Sequence, residues 1–414
     1  MGSTIPALPV FDEEDSMLSR KFGREIANYF SGSPLNRVAF LRHDHVFLRS
    51  AFSHPSTRFL LMNELAPLVD ETRNRIAYLS NADVTPFTGP DPFLKTEEEM
   101  IKDFNSEETH PLILLLGIDE AHKLQPSSDG PAFEYKSWQG RPYFAIDITP
   151  RGSSEASATS VIDAVKQKGY SFFTDQRHMG LSAAEAAMYG QARALLDWNA
   201  RNPFCAQCGQ RTLSVNSGTK RACPPTDLAG GKLHERAPCA TRKGVSNISF
   251  PRTDPTIIVA VVNAAGTHML LGRQRRWPAY SYSTLAGFLE PGESIEEAVR
   301  REVYEESGVK LSRVVIHSSQ PWPFPASLMI GAIAQALPGD GERIDLGNDP
   351  ELEDAKWFTF DEVREALNKG VSGLGEPAPA GYVEGSLRLP PQTAIANRLM
   401  TAVTEGYVGA GTKL

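Results

Sequence analysis

With 414 residues, 41% of them apolar, and a formal net charge of −8, the chain exceeds one hydrophobic core and reads as two or three globular domains. The acidic balance argues against a general nucleic-acid binder, which needs a basic surface to displace phosphate counterions. The longest apolar runs, such as Leu112 to Ile118, fall far short of the ~20 residues that span a bilayer, so no transmembrane helix is expected.

The opening MGSTIPALPVFDEEDS lacks the basic region and apolar core of a signal peptide, and Pro6 occupies the Ser/Thr position of a myristoylation pattern, so a reducing interior compartment is the expected setting. Acidic residues, Pro and Ser mark roughly the first thirty residues as a loosely held terminus, with ordered chain from near Asn36. From there RVAFLR, HVFLRS, RIAYLS, LILLLGID and PYFAIDI, separated by polar, Pro- and Gly-containing stretches, predict a mainly β N-terminal domain. A helix over Ala183 to Asn199 aligns Ala187, Ala192, Leu195, Leu196 and Trp198 roughly on one side and completes a domain of residues 1–200. A cysteine-bearing segment, residues 201–251, follows.

In residues 252–414, Pro255 to Asn263 and His268 to Gln274 flank a turn at Gly266 and predict a hairpin. Further strands are expected at Ser283 to Leu289, Val314 to Ser318, Leu328 to Ala336 and Ala355 to Phe360. Helices are expected at Ser294 to Glu306, Asp361 to Asn368 and Thr393 to Thr404, an α+β order with a mixed sheet.

All four cysteines, Cys205, Cys208, Cys223 and Cys239, lie in the middle segment. Cys205-Ala-Gln-Cys208 brings two thiolates to one ion, and two more complete a tetrahedral Cys₄ set suited to one structural Zn²⁺ per chain. That metal would help fold a segment too small and polar to make its own core. The long insertion before Cys239 leaves His234 open as a replacement ligand, and a disulfide pair is the less favoured reading in a reducing compartment.

Chemistry concentrates in Gly287-Phe-Leu-Glu-Pro-Gly-Glu293-Ser-Ile-Glu-Glu-Ala-Val-Arg-Arg301-Glu302-Val-Tyr-Glu305-Glu306-Ser-Gly308-Val309. Ser294 with Glu297 is a capping box and Gly308 a stop, so the acidic run is helical. At 100° per residue Ile295, Ala298 and Val299 face inward, Glu296, Glu297, Arg300 and Tyr304 outward, while Glu302 and Glu306 fall on the inward stripe with Glu305 at its edge. Inward carboxylates need a partner, and Mg²⁺ or Mn²⁺ suits oxygen ligands that bridge to phosphate. The segment resembles the Nudix box at every fixed position, so the chain looks like a Nudix hydrolase with that family's α/β/α sandwich and mixed sheet. The resemblance implies metal-assisted attack of water on a diphosphate, Glu302 and Glu306 as the metal pair, Glu305 as base and further ligand, and Arg301 orienting a glutamate by a bidentate salt bridge.

Downstream, Ser319-Gln-Pro-Trp-Pro-Phe-Pro-Ala-Ser-Leu-Met329 interleaves prolines with Trp322 and Phe324, fixing an extended segment that presents rings at low entropic cost. It resembles the S-Q-P-W-P-F-P-x-S array of the NADH pyrophosphatase (NudC-type) branch, and the likeness runs roughly from Leu195 to Met400. That branch implies Phe288 and Trp322 sandwiching a base, Gln320, Ser327 and Met329 lining the pocket, and a backbone contact at Ala396. Glu351 is implied as an added metal ligand, with Glu353 and Asp354 as rivals. A homodimer whose pocket borrows residues from both subunits is implied too. The insertion between Cys223 and Cys239 and the tail around Gly370 to Leu389 depart from compact members.

The expected activity is hydrolysis of the pyrophosphate bond of NADH or NAD⁺ to nicotinamide mononucleotide and AMP. The alternatives are removal of NAD caps from RNA and a non-catalytic NAD(H)-binding Nudix protein. The final Thr412-Lys413-Leu414 resembles a peroxisomal address with Thr for Ser, leaving peroxisome or cytoplasm as the expected location.

Overall fold

The computed structural model describes residues 26–121, 131–175, 180–244, 247–348, 351–374 and 376–405. The C-terminal tripeptide and most of the acidic N-terminus lie outside the described residues. None of the helices among the described residues is long and apolar enough to cross a membrane. Two compact units emerge: Ser33–Arg252 with Pro323–Pro325, and Thr253–Trp322 with Ala326–Leu414 and the chain up to Gly32.

In the first unit, α1 (His45–Ser53) precedes β1 (Arg58–Asn63) and β2 (Ala66–Val69), followed by α2 (Asn81–Thr88) and α3 (Glu97–Lys102). Then come β3 (Leu112–Asp119), β4 (Phe133–Tyr135), β5 (Trp138–Asp147), α4 (Glu155–Gln167), β6 (Ser171–Phe172) and α5 (Ala183–Arg201). The sheet runs β3-β5-β1-β2-β6, with β4 on β5 and only the β1/β5 pair parallel. This domain carries helices as well as the expected sheet. HVFLRS, read as a strand, opens α1: Asp44 accepts the Phe47 N–H at 3.2 Å, and Phe47, Leu48, Ala51 and Phe52 are buried at helical spacing. A six-residue apolar window is too short to separate the two periods. The ribbon closes the unit with hairpin β7 (Leu213–Val215)/β8 (Lys220–Ala222) and hairpin β9 (Thr226–Asp227)/β10 (His234–Glu235).

The second unit contains β11 (Asp254–Val262), β12 (His268–Arg273), β13 (Leu285–Phe288), α6 (Ile295–Ser307), β14 (Leu311–Trp322), β15 (Ser327–Ala336), β16 (Asp354–Thr359), α7 (Phe360–Lys369) and α8 (Ile395–Thr404). Its mixed sheet is ordered β14-β15-β11-β12-β16, with β13 pairing the first half of β11 and β11/β15 parallel. Period-two burial on β11 builds the sandwich: Ile257, Val259 and Val261 pack with Ala298, Val299 and Val303 of α6. Ile258 and Ala260 face Val363 and Ala366 of α7 and Leu399 and Met400 of α8. The turn at Gly266 adopts φ 68°. β14 extends beyond the expected Ser318 to Trp322, which Pro321 permits because β14 is an edge strand.

The expected loose terminus also ends earlier than its composition implies. Ala27, Asn28, Tyr29 and Phe30 are all buried.

At Gly331 the sheet meets α8 closely: a Cβ there would lie 2.8 Å from Ile395 Cδ1 and 3.1 Å from the Ser318 carbonyl oxygen. Gly331→Val is therefore expected to destabilise the chain by about 1–3 kcal/mol through overpacking. Urea unfolding checks this, and an unchanged midpoint contradicts it.

Candidate active site

Helix α6 builds the site. The Ser294 hydroxyl accepts the Glu297 N–H at 3.2 Å while the Glu297 carboxylate accepts the Ser294 N–H at 2.7 Å, and Gly308 stops the helix at φ 72°. The helical phase then decides exposure. Glu306 is 3% exposed, whereas Glu297, Arg300 and Tyr304 face solvent.

Arg301 gathers the carboxylates. Its Nε and Nη2 reach the two oxygens of Glu293 at 2.5 and 2.8 Å, its Nη1 donates to Glu302 and Glu305, each at 2.9 Å, and Nη2 also donates to the Phe288 carbonyl at 2.8 Å. The bidentate partner is thus Glu293, a role the sequence pattern did not assign. Hydrogen bonds from Arg301 and from the Glu290 N–H hold the Glu293 carboxyl down at about 2. Burial pushes Glu302 above the ordinary carboxylate range, Glu305 and Glu351 add to that, and Arg301 opposes it.

Gly287 completes the geometry: a Cβ there would overlap the Glu302 carboxylate, so the strand passes close only because it carries none. Of the three candidates for the added metal ligand, Glu353 is paired with Arg273, and Asp354 with Lys356 at 2.7 Å and the Tyr282 hydroxyl at 2.6 Å. Glu351 is exposed and accepts a hydrogen bond from Gln274. Several carboxylates thus converge around one guanidinium, a donor set that fits a hard divalent cation. Among the described residues, however, only the four cysteines already form a group of three or more potential ligands, their sulfurs within 4.8 Å of one another. Arg301 draws the carboxylates of Glu302 and Glu305 to itself.

The expected pocket residues share one sheet face. Phe288 lies opposite Thr256, Thr256 opposite Met329 and Met329 opposite Gln320, while Trp322 and Ser327 pair in the next row. Met329 packs with Ala396 of α8 in the cluster on that face. Two findings sharpen this picture. Gln320 is 1% exposed, and its amide is committed to the Tyr29 and Thr393 carbonyls and the Ile395 N–H. Phe288, 59% exposed, lies three strands from Trp322, ~14 Å at sheet spacing.

The cysteines form the second centre. Cys205 Sγ lies 3.7 Å from Cys239 Sγ, and Cys208 Sγ 3.6 Å from Cys223 Sγ, against ~3.8 Å for thiolates on a tetrahedral zinc. They are not disulfide-bonded. Burial raises the Cys205 thiol, but the Thr241 hydroxyl and the N–H groups of Cys208 and Gln207 outweigh it and bring the thiol down to about 6. Burial pushes Cys223 up to about 12. His234 is exposed on β10, its ring bonded to the Ala229 carbonyl at 3.0 Å, and is not among the clustered ligands.

Elemental analysis is expected to return one zinc per chain, lost in Cys239→Ser and kept in His234→Ala; the reverse pattern contradicts the ligand set. A second expectation concerns acid. Because the folded pKa of Glu293 is depressed, its stabilising contribution is present above the ordinary value near 4.5 and is lost as pH falls toward about 2. Thermal midpoints of wild type and Glu293→Gln should converge across that window. A constant gap between them would show that the ion pair does not carry the effect.

Comparison with known proteins matches three family models along the chain: an NADH pyrophosphatase-like rudimentary NUDIX domain over residues 56–198, an NADH pyrophosphatase zinc ribbon domain over 200–230 and a NUDIX domain over 252–378. The ribbon match ends before Cys239, which the structure nonetheless brings into the cluster as the sequence reading expected. The NAD-capped RNA hydrolase of Schizosaccharomyces pombe is 36% identical over 382 residues, 91% of this chain and 92% of that protein. NAD-capped RNA hydrolase NUDT12 of Homo sapiens is 34% identical over 384 residues, 91% of this chain and 73% of that protein. The mitochondrial NAD(P)H pyrophosphatase NUDT13 of Mus musculus is 35% identical over 268 residues, 64% of this chain and 68% of that protein. The chain belongs to the Nudix hydrolase family, in the NADH pyrophosphatase branch that joins a rudimentary Nudix domain, a zinc ribbon and a Nudix domain.

Proposed function

We propose that the protein is an NAD(H) diphosphatase, hydrolysing the pyrophosphate bond of NADH or NAD⁺ to nicotinamide mononucleotide, reduced when it comes from NADH, and AMP. The observation that carries this reading is the double engagement of Arg301. One guanidinium holds Glu293, Glu302 and Glu305 and also the carbonyl of Phe288, tying the carboxylates to the strand end that offers an exposed ring.

Glu302 and Glu306 are assigned as the metal pair, with Glu351 as the added ligand because its rivals are paired elsewhere. Bound there, Mg²⁺ or Mn²⁺ supplies neutralisation of the diphosphate and acidification of the attacking water. Arg301 fixes the orientation of Glu302 and Glu305. Glu305, whose side chain is 44% exposed, reaches solvent and is assigned the base that takes the proton from water. Phe288 and Trp322 are assigned to stack on a base, with Ser327, Met329 and the backbone at Ala396 around it. Gln320 contributes by holding the first turn of α8. The separation of Phe288 from Trp322 supports a homodimer in which the two rings facing one base come from different chains.

A second reading, removal of NAD caps from RNA, breaks the same bond and is favoured by the relatives from fission yeast and human that bear that activity in their names. Comparing turnover of free NADH with that of an NAD-capped oligonucleotide, with both products identified, separates the two; absence of both activities rejects both.

Glu306→Gln is expected to lower kcat at least about a thousandfold while leaving the circular dichroism spectrum unchanged. Full activity in that variant contradicts the metal-pair assignment. Glu351→Gln should impair turnover and Glu353→Gln should not, and equal effects would remove the distinction drawn between them.

A further inference from the structure

Asn28, Tyr29 and Phe30 are 1%, 3% and 6% exposed and lie along the end of β14 that carries Trp322. Asn28 donates from Nδ2 to the Ser318 hydroxyl at 3.0 Å and to the Ser319 carbonyl at 2.9 Å. The Tyr29 carbonyl accepts from Gln320 at 3.0 Å. A turn closed by the Ser31 N–H on the Asn28 carbonyl, 3.1 Å, then aims the Phe30 ring at Trp322, centroid to centroid 6.0 Å and nearly perpendicular at 82°. Tyr29 braces Phe30 in turn at 4.7 Å.

The backbone at Phe30 has φ 69°, in the left-handed region where a bulky side chain is disfavoured and glycine is the ordinary occupant. Such a conformation persists only where its surroundings over-determine it. Covering an edge strand explains the hydrogen bonds to Ser318 and Ser319. It does not account for an aromatic ring at the one position of the turn that favours glycine.

We propose that residues 28–30 form a strap whose Phe30 is a positioning and specificity-determining residue, fixing the plane of the Trp322 ring for stacking on a substrate base. This rests on the reading of Trp322 as a base-stacking residue. The near-perpendicular contact fixes the tilt of the indole against the strap. Fixing the ring in advance spares binding the entropy of ordering it, so the strap acts on substrate affinity rather than on bond cleavage. Gln320 links the strap to α8: the amide that binds Tyr29 also accepts the Ile395 N–H at 2.9 Å and donates to the Thr393 carbonyl at 2.8 Å. Residues far apart in sequence are thereby set by one side chain.

The test uses the full chain, steady-state hydrolysis of NADH, and the variants Phe30→Leu, Trp322→Leu and their combination. Phe30→Leu keeps apolar burial and removes the aromatic contact. It should raise KM about three- to tenfold, with kcat within about twofold of wild type, as expected for an aromatic pair. On the Trp322→Leu background it should add nothing further. Should Phe30→Leu fail to fold, Asn28→Ala releases the strap from Ser318 and Ser319 with the ring retained, and the same rise in KM is expected. If Trp322→Leu raises KM while both strap variants leave it at the wild-type value, the strap is an edge cover only and the inference fails alone. Strap and Trp322 effects on KM that simply add overturn it too. If Trp322→Leu itself leaves KM unchanged, the base-stacking reading falls and takes the strap with it.

Discussion

The candidate site depends on how one guanidinium is used. Carboxylates brought close together repel one another and are costly to bury, and Arg301 answers three at once, Glu293 from the loop before α6 and Glu302 and Glu305 from the helix itself. Other features of the box follow from that arrangement. Ser294 starts the helix in the phase that turns Glu302 and Glu306 inward, and Gly308 ends it after the last of them. Gly287 lets a strand pass against the Glu302 carboxylate, and Glu293 locks the guanidinium from the other side. The burial that raises Glu302 and the ion pair that depresses Glu293 describe one charge distribution: negative charge in excess, held in place. Such an arrangement suits an oxygen-seeking divalent cation and a polyanionic substrate.

The two metal environments of this chain contrast in chemistry and in completeness. Four thiols already stand near tetrahedral spacing, so a zinc bound there has no open position and serves the fold. The glutamates differ in exposure, half-buried at Glu305, exposed at Glu351 and buried at Glu306, which suits an ion that retains waters and shares its coordination with a phosphate. Soft ligands are pre-assembled for their metal, whereas the hard ligands are gathered on a guanidinium.

Much of the Nudix unit was legible in the sequence because its signals are local. A capping box, a glycine stop and a helical phase lie within one short segment, and the helix from Ile295 to Ser307 follows from them. The β11/β12 hairpin was legible for the same reason. What escaped involves long-range contact. The sequence suggested that Gln320 lines a pocket, but its partners Tyr29 and Thr393 lie in distant segments, and the folded chain commits its amide to them. The strap itself sits at the end of a segment whose acidic, Pro-rich composition signals a loose terminus. Nothing in HVFLRS distinguishes a strand from the first turns of α1 until Ala51 and Phe52 extend the helical spacing. Cys239 could be proposed as a ligand by counting, but choosing it over His234 required the β9/β10 hairpin, which carries the histidine away from the cluster.

The central claim is that the carboxylates around Arg301 form a divalent-cation site, and direct binding tests it without reliance on turnover. Mn²⁺ titration of the zinc-loaded full chain, followed by electron paramagnetic resonance, should show bound ion in wild type and weakened binding when Glu302 or Glu306 becomes glutamine. Mn²⁺ affinity that is unchanged in both variants, with the zinc cluster intact, would contradict the account.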